Sequence, residues 1–200
     1  MQLSSLFLRC LNIEYTKVEN DASFATEAIC DTLYVYFECS NGKIDWKNNL
    51  DFPVKKCTQA CSFFCHRGFN RVWESAKEHI SKYILDKRFK SIVVVGYSHG
   101  AALALLCYEY AYASRKDLRA LMGYGFGCPR VLWGFKRKKA RVIWNNFTVV
   151  RNIDDIVTHV PSAVFGYYHT GKLLKIGKRG LYSKIDAHRP ENILRELRKC

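Results

Sequence analysis

The run Ser91 to Tyr97 (SIVVVGY) is separated from His99 to Ala113 (HGAALALLCYEYAYA) by a single serine. The first run is β-branched with no polar alternation, the pattern of a strand covered on both faces, as in a parallel sheet. The second is small, apolar and helix-forming on every side, so it reads as a buried helix. Their junction, Gly96-Tyr97-Ser98-His99-Gly100, must then be a sharp strand-to-helix turn. Glycines two residues either side of Ser98 let two backbones pass closely. The serine hydroxyl is lifted clear of the sheet at a helix N-terminus, where free N–H groups favour negative charge. An N-capping serine in a glycine-rich turn is the competing reading. The apolar flanks favour a nucleophile.

The remaining apolar patterns supply the rest of a fold. Thr32 to Phe37 reads as a strand, as do Leu121 to Phe126 and Phe147 to Ile153. Phe69, Val72, Trp73, Ala76, Ile80 and Tyr83 recur on one face of a helix over 69–84. Pro190 to Lys199 reads as a last helix with proline in its first turn. Strands alternating with helices predict an α/β chain: a mostly parallel central sheet with helices on both faces. No repeat or linker divides the 200 residues, so residues 1–200 are read as one domain. With 48% apolar and 25% charged residues, a disordered or collagen-like chain is excluded. The longest unbroken apolar stretch, Ala101 to Cys107, falls well short of the roughly 18 residues of a membrane span. The first residues, MQLSSLFLRCLNIEY, are interrupted by Arg9 and show no cleavage-site pattern, so they are not read as a signal peptide.

Charge and cysteine usage point to surroundings. The chain has 32 Lys+Arg against 18 Asp+Glu, a net charge of +14. Arg130 to Arg141 holds six bases and no acid, and Gly171 to Cys200 holds nine bases and three acids. Such a surface suits peripheral contact with an anionic membrane, or simply keeps the chain in solution. No aromatic-studded or zinc-finger pattern accompanies the bases, so no nucleic-acid partner is expected. Nine cysteines, an odd number, without a secretion signal favour free thiols and a cytoplasmic location. Cys57, Cys61 and Cys65, followed by His66, are spaced C-x3-C-x3-C-H, which departs from two-knuckle zinc spacing. In a helix these three thiols would share a buried face, so no metal is expected.

A serine nucleophile needs a base, and the base needs an acid to orient it. On a strand–turn–helix site the acid follows the serine and the histidine comes last. Asp154 and Asp155 lie just beyond the apolar run FTVVRNI, at a strand end. His159, His169 and His188 follow. His159 is too near the acids to face them across a cleft. His169, in YYHTG, reads as a structural histidine, and spacing prefers His188, in IDAHRPENI, over it only modestly.

Five pieces in order resemble the class 3 lipases, the fungal-lipase-like branch of the α/β-hydrolase superfamily. They are FECSNGKIDWKNNL (37–50), HRGF (66–69), GYSHGAALA (96–104), FGCPRV (126–131) and NIDDIVTHVP (152–161). The resemblance runs from about Tyr34 to Ile193. It implies Asp155, within Asp-Ile-Val, as the acid, and His188 as the base. The Gly-Tyr-x-His-x-Gly piece at 166–171 also resembles the family, where that histidine is not the base. The resemblance further implies an oxyanion hole from the backbone N–H groups of Ser40 and His99, worth roughly 3 kcal/mol of barrier per donor. Gly96 and Gly100 would form the elbow. Ile44 to Leu50 occupies the place of the family's lid, with Trp46 either touching lipid or packing inward.

Some residues depart from the family pattern. Glu38-Cys39 stands where Arg-Gly is usual, and Thr158 replaces a proline. Only 33 residues separate Asp155 from His188. With neither disulfides nor a signal peptide expected, the chain looks like a compact form of the kind found in bacteria or their phages. The implied activity is serine carboxylic-ester hydrolysis of lipid esters of the acylglycerol class through an acyl-enzyme, without cofactor. A phospholipase or lysophospholipase, a soluble esterase, and a thioesterase or peptidase are alternatives on the same residues. An inactive hydrolase-fold binding module with a basic surface is the alternative of another class.

Overall fold

The computed structural model describes residues 2–39, 54–56 and 63–199. Ser40, Trp46, the 44–50 segment, Cys57 and Cys61 lie outside the described residues.

In chain order the helices are α1 (Leu3–Asn12), α2 (Arg67–Ile84), α3 (His99–Ser114), α4 (Arg137–Ile143) and α5 (Pro190–Leu197). The strands of the main sheet are β1 (Thr16–Lys17), β2 (Ser23–Ile29) and β3 (Thr32–Phe37), then β6 (Ser91–Tyr97), β7 (Ala120–Phe126), β9 (Phe147–Asn152) and β11 (Lys172–Ile176). A smaller antiparallel sheet takes β4 (Val54–Lys56), β5 (Phe64–His66), β8 (Leu132–Trp133) and β10 (Tyr167–Tyr168).

The main sheet has the order β1-β2-β3-β6-β7-β9-β11. From β3 to β11 every pairing is parallel, with Phe37 opposite Gly96, Tyr97 opposite Phe126, and Phe126 opposite Val150. Only the edge pairings, β1 with β2 and β2 with β3, are antiparallel. This is the mostly parallel α/β sheet expected from sequence. Strand β6 shows why its run carries no polar alternation. Ile92 and Val94 enter a core with Trp73, Ile80 and Leu103 on one face. Val93, Val95 and Tyr97 enter a second core with Leu6, Phe7, Ile193 and Leu197 on the other. Helices α2 and α3 therefore cover one face, and α1 and α5 the other. Each fully buried aliphatic or aromatic side chain contributes about 2 kcal/mol.

Parallel pairing sends every connection after β3, β6, β7, β9 and β11 to the same end of the sheet, where binding residues of open α/β sheets gather. The strands thus converge residues 38–39, 98, 127–131, 153–166 and 177–188 at one end.

Two expectations change. Helix α1 was not assigned from sequence, although Leu3, Leu6, Phe7 and Cys10 follow a helical step and seal the second core. Among the described cysteines, Cys10, Cys30, Cys107 and Cys128 are free thiols, but Cys65 is disulfide-bonded. An odd count requires only one leftover thiol, so it never excluded a bridge. Cys65 also sits in a strand rather than a helix, and a bridged sulfur is no thiolate ligand. Among the described residues no group of three His, Cys, Asp or Glu side chains could hold a metal. No described helix is long and apolar enough to cross a membrane.

One buried charge ties the helix ends to the sheet. Arg115, at the C-terminus of α3, donates to the carbonyls of Ile84 (2.6 Å), Asp86 (2.9 Å) and Phe89 (2.8 Å). It also grips Asp117 through both carboxylate oxygens, at 2.8 and 2.9 Å. Its side chain is 2% exposed, against 44% for Asp117. A lysine has a single ammonium and cannot reach these acceptors together. Arg115→Lys should cost about 3 kcal/mol of unfolding free energy and Asp117→Asn less than about 1, because only the arginine is desolvated. Urea midpoints of the two variants check this; equal losses would contradict it.

Candidate active site

The site begins with the turn after β6. Ser98 adopts φ 55° and ψ −119°, a region an L-residue enters only under constraint. Its N–H continues the β6–β7 ladder to the Phe126 carbonyl (2.9 Å), and its carbonyl accepts the Ala101 N–H (3.0 Å). A Cβ on Gly96 would stand 2.1 Å from the Gly100 carbonyl oxygen, and one on Gly100 would stand 2.4 Å from the Phe37 carbonyl oxygen. Both glycines are therefore required by backbone contact.

The structure brings Ser98, His188 and Asp155 into one hydrogen-bonded line. His188 Nε2 lies 2.8 Å from Ser98 Oγ, and His188 Nδ1 lies 2.8 Å from Asp155 Oδ2. A carboxylate oxygen only accepts, so Nδ1 carries the proton and Nε2 is left to accept from the serine hydroxyl. The Asp155 side chain is fully buried, whereas that of His188 is 17% exposed. The acid is sealed while the imidazole keeps an exposed edge. The second carboxylate oxygen of Asp155 accepts the Val157 N–H at 2.9 Å, which fixes the carboxylate plane.

The other sequence candidates lie elsewhere. Asp154 turns away and accepts the Gly180 N–H at 2.6 Å. His169 donates from Nε2 to the Thr158 carbonyl at 2.6 Å, a structural bond. The His159 carbonyl accepts from Arg130, which also reaches the Pro161 carbonyl at 2.9 Å. Arg130, in FGCPRV, thus clamps the loop that follows the acid.

Three residues that position the imidazole escaped sequence reasoning. The Tyr97 hydroxyl donates to the His188 carbonyl at 2.6 Å, and its ring stacks on the imidazole at 5.2 Å. Burial, with Cys39 and the Asp155 carboxylate nearby, holds this phenol well above its usual range, so it remains a donor. Asn152 Nδ2 donates to the Ala187 carbonyl at 3.0 Å. Gly127, at φ 57°, has no room for a side chain: a Cβ would stand 2.7 Å from His188 Cε1 and 3.1 Å from Asp155 Oδ2. Tyr97 and Gly127 sit inside motifs already singled out, GYSHG and FGCP, and that adjacency was the available signal.

His99 is the first residue of α3, directly after Ser98. Its side chain is buried, edge-on to Phe69 at 5.4 Å, and Phe69 in turn stacks on His66, the N-cap of α2, at 4.2 Å. Cys39 is half-buried against the second core.

A strained strand-to-helix turn bearing a serine, on a parallel sheet with helices on both faces, defines an α/β-hydrolase fold. The chain belongs to the class 3 lipase family, whose model matches residues 34–165. A lipase of Rhizomucor miehei is 30% identical over 149 residues, which is 70% of this chain and 40% of that protein. A secreted mono- and diacylglycerol lipase of Fusarium solani is 30% identical over 160 residues, 78% of this chain and 47% of that protein. The chain thus spans less than half the length of these curated relatives. A solved triacylglycerol lipase, described as having a serine protease triad at its catalytic centre, is 25% identical with a TM-score of 0.71. That match covers 83% of this chain and 66% of the other.

Burial pulls the His99 and His169 imidazoles down to about 4 from 6.5. The unfolded chain takes up these protons near pH 6.5 while the folded chain refuses them until about pH 4. Their contribution to stability is therefore complete above pH 6.5 and is lost as the pH falls toward 4, by up to about 3 kcal/mol each. His169→Gln keeps a donor for the Thr158 carbonyl and should shrink the drop in urea midpoint between pH 7 and 4.5. An identical drop in both proteins would contradict the assignment.

Proposed function

We propose that this chain is a serine carboxylic-ester hydrolase acting on lipid esters of the acylglycerol class. The observation that carries this reading is the Ser98–His188–Asp155 line on a strained elbow, with 2.8 Å at each link. Membership of the class 3 lipases and likeness to proteins named as lipases support the substrate class.

The chemistry follows from the donors and acceptors. His188 Nε2 takes the Ser98 hydroxyl proton as Oγ attacks the ester carbonyl carbon. Asp155 holds Nδ1–H and stabilises the imidazolium that forms. The carbonyl oxygen becomes an oxyanion, assigned to the backbone N–H of His99 and, by the family resemblance alone, to that of Ser40, which lies outside the described residues. The helix N-terminus at His99 favours that negative charge. When the tetrahedral species collapses, the C–O bond to the alcohol breaks and His188 returns its proton to the leaving oxygen. Water then adds to the acyl-enzyme by the same route, releasing the acid and restoring Ser98. Every proton is handled by His188, so no metal or cofactor enters a step.

The testing experiment is hydrolysis of p-nitrophenyl butyrate and p-nitrophenyl palmitate. Ser98→Ala and His188→Ala should each lower kcat by about 10⁶, and Asp155→Asn by about 10⁴. His169→Gln should stay within a few-fold of wild type. A higher rate on dispersed palmitate than on butyrate supports the lipid-ester class, while butyrate alone would indicate a soluble esterase. Undiminished turnover by Ser98→Ala would end the proposal. Inactivity of folded wild type on both esters would favour the binding module.

A further inference from the structure

The end of the sheet that carries Ser98 also carries the most exposed bulky apolar side chains among the described residues. Phe135 is 100% exposed, Val164 90% and Phe165 72%. Single exposed apolar residues are ordinary, but three on adjoining turns are not.

The turns are fastened together. Trp133 Nε1 donates to the Phe165 carbonyl at 2.7 Å, and the Gly134 N–H donates to the Gly166 carbonyl at 3.2 Å. Behind them β8 and β10 pair with Trp133 opposite Tyr167, and Phe64 packs edge-on to Trp133 at 5.9 Å. Gly166, at φ 85°, abuts the Trp133 ring so closely that a Cβ would stand 2.8 Å from Nε1. A notch of about 280 Å³ opens between Trp133, Phe135, Arg137 and Gly166. The apolar tips therefore project from a built support.

Cations follow the tip directly. Helix α4 buries Ala140 and Ile143 and leaves Arg137, Lys138, Lys139 and Arg141 exposed, with Val142 65% exposed among them. No acid interrupts residues 130–141, and no carboxylate among the described residues pairs with these four bases. The Arg137 guanidinium lies over the Tyr168 ring at 5.2 Å, which holds it beside the notch.

An apolar tip flanked by cations that no described carboxylate pairs with matches a surface that is anionic at the rim and hydrocarbon beneath. A nucleic acid would satisfy the cations but offer Phe135, Val164 and Phe165 no apolar environment. We propose that this face docks on an anionic lipid bilayer, with Phe135, Val164 and Phe165 entering the headgroup boundary and Arg137, Lys138, Lys139 and Arg141 contacting lipid phosphates. The inference rests on the lipid-ester reading of the site, because the docking turns follow β7 and β9, at the end where Ser98 lies.

Sedimentation with vesicles tests docking apart from catalysis, using the Ser98→Ala protein so that no lipid is consumed. The protein should partition to phosphatidylcholine vesicles containing phosphatidylglycerol and only weakly to phosphatidylcholine alone, and salt should weaken the binding. Phe135→Ser with Phe165→Ser should lower partitioning about a hundredfold, at about tenfold per ring. Lys138→Gln with Lys139→Gln, which disturbs no packing, should lower it about fivefold per base and reduce its salt dependence. On the wild-type background both double variants should keep p-nitrophenyl butyrate turnover and lose turnover of vesicle-borne substrate. Unchanged partitioning in both variants, or equal binding to neutral and anionic vesicles, would overturn the proposal. So would self-association abolished by Phe135→Ser with Phe165→Ser, which would assign the face to a second copy. If docking holds while wild type cleaves no ester, the inference stands and the hydrolase reading falls.

Discussion

The carboxyl end of the sheet is organised by how closely α3 can approach β3 and β6. The Gly96 and Gly100 backbones leave no space for a side chain at either position, with hypothetical Cβ contacts of 2.1 and 2.4 Å. That contact compels the chain to reverse within one residue, which puts Ser98 at φ 55°. The local strain, roughly 1–3 kcal/mol, is small against the burial of α3, whose residues from His99 to Glu109 are all inside. The buried helix thus holds a serine where an unconstrained chain would not leave one.

The partners of Ser98 arrive from distant parts of the chain. His188 is 90 residues from Ser98 and 33 from Asp155. Its loop is bonded to its own neighbours and is also fastened to the sheet ends, by Tyr97 at the end of β6 and Asn152 at the end of β9. Gly127, after β7, supplies the room in which the imidazole and the carboxylate meet. Three adjacent parallel strands therefore each contribute one positioning residue just beyond or at their carboxyl ends. Parallel pairing makes those ends neighbours, so the sheet register and the site geometry are one arrangement.

Much of this was legible in the sequence, for identifiable reasons. Strand β6 and helix α3 are buried on all sides, so their composition alone announces them. The elbow is readable because backbone contact leaves glycine no substitute. Spacing separates His188 from His169 only weakly, because the choice depends on which loop Tyr97 and Asn152 hold. It favours His188 only modestly, and the resemblance to the class 3 lipases adds the rest. Edge strand β11, with Lys172, Leu173 and Lys175 exposed, lacks the continuous apolar run that marks its neighbours. The bridge at Cys65 was misjudged because counting cysteines reports parity and not proximity. The exposed tip at Phe135 was invisible for a related reason: a phenylalanine in sequence does not announce whether it faces core or water.

The most direct test of the central claim is covalent trapping with a fluorophosphonate, followed by peptide mass analysis of the intact, folded chain. An activated serine displaces fluoride and keeps the phosphonyl group, whereas an ordinary capping serine does not react. The account predicts a single phosphonyl group on the peptide containing Ser98. It predicts loss of that label in His188→Ala and its retention in His169→Gln. Labelling at a different serine, or labelling of Ser98 that survives removal of the His188 imidazole, would contradict it.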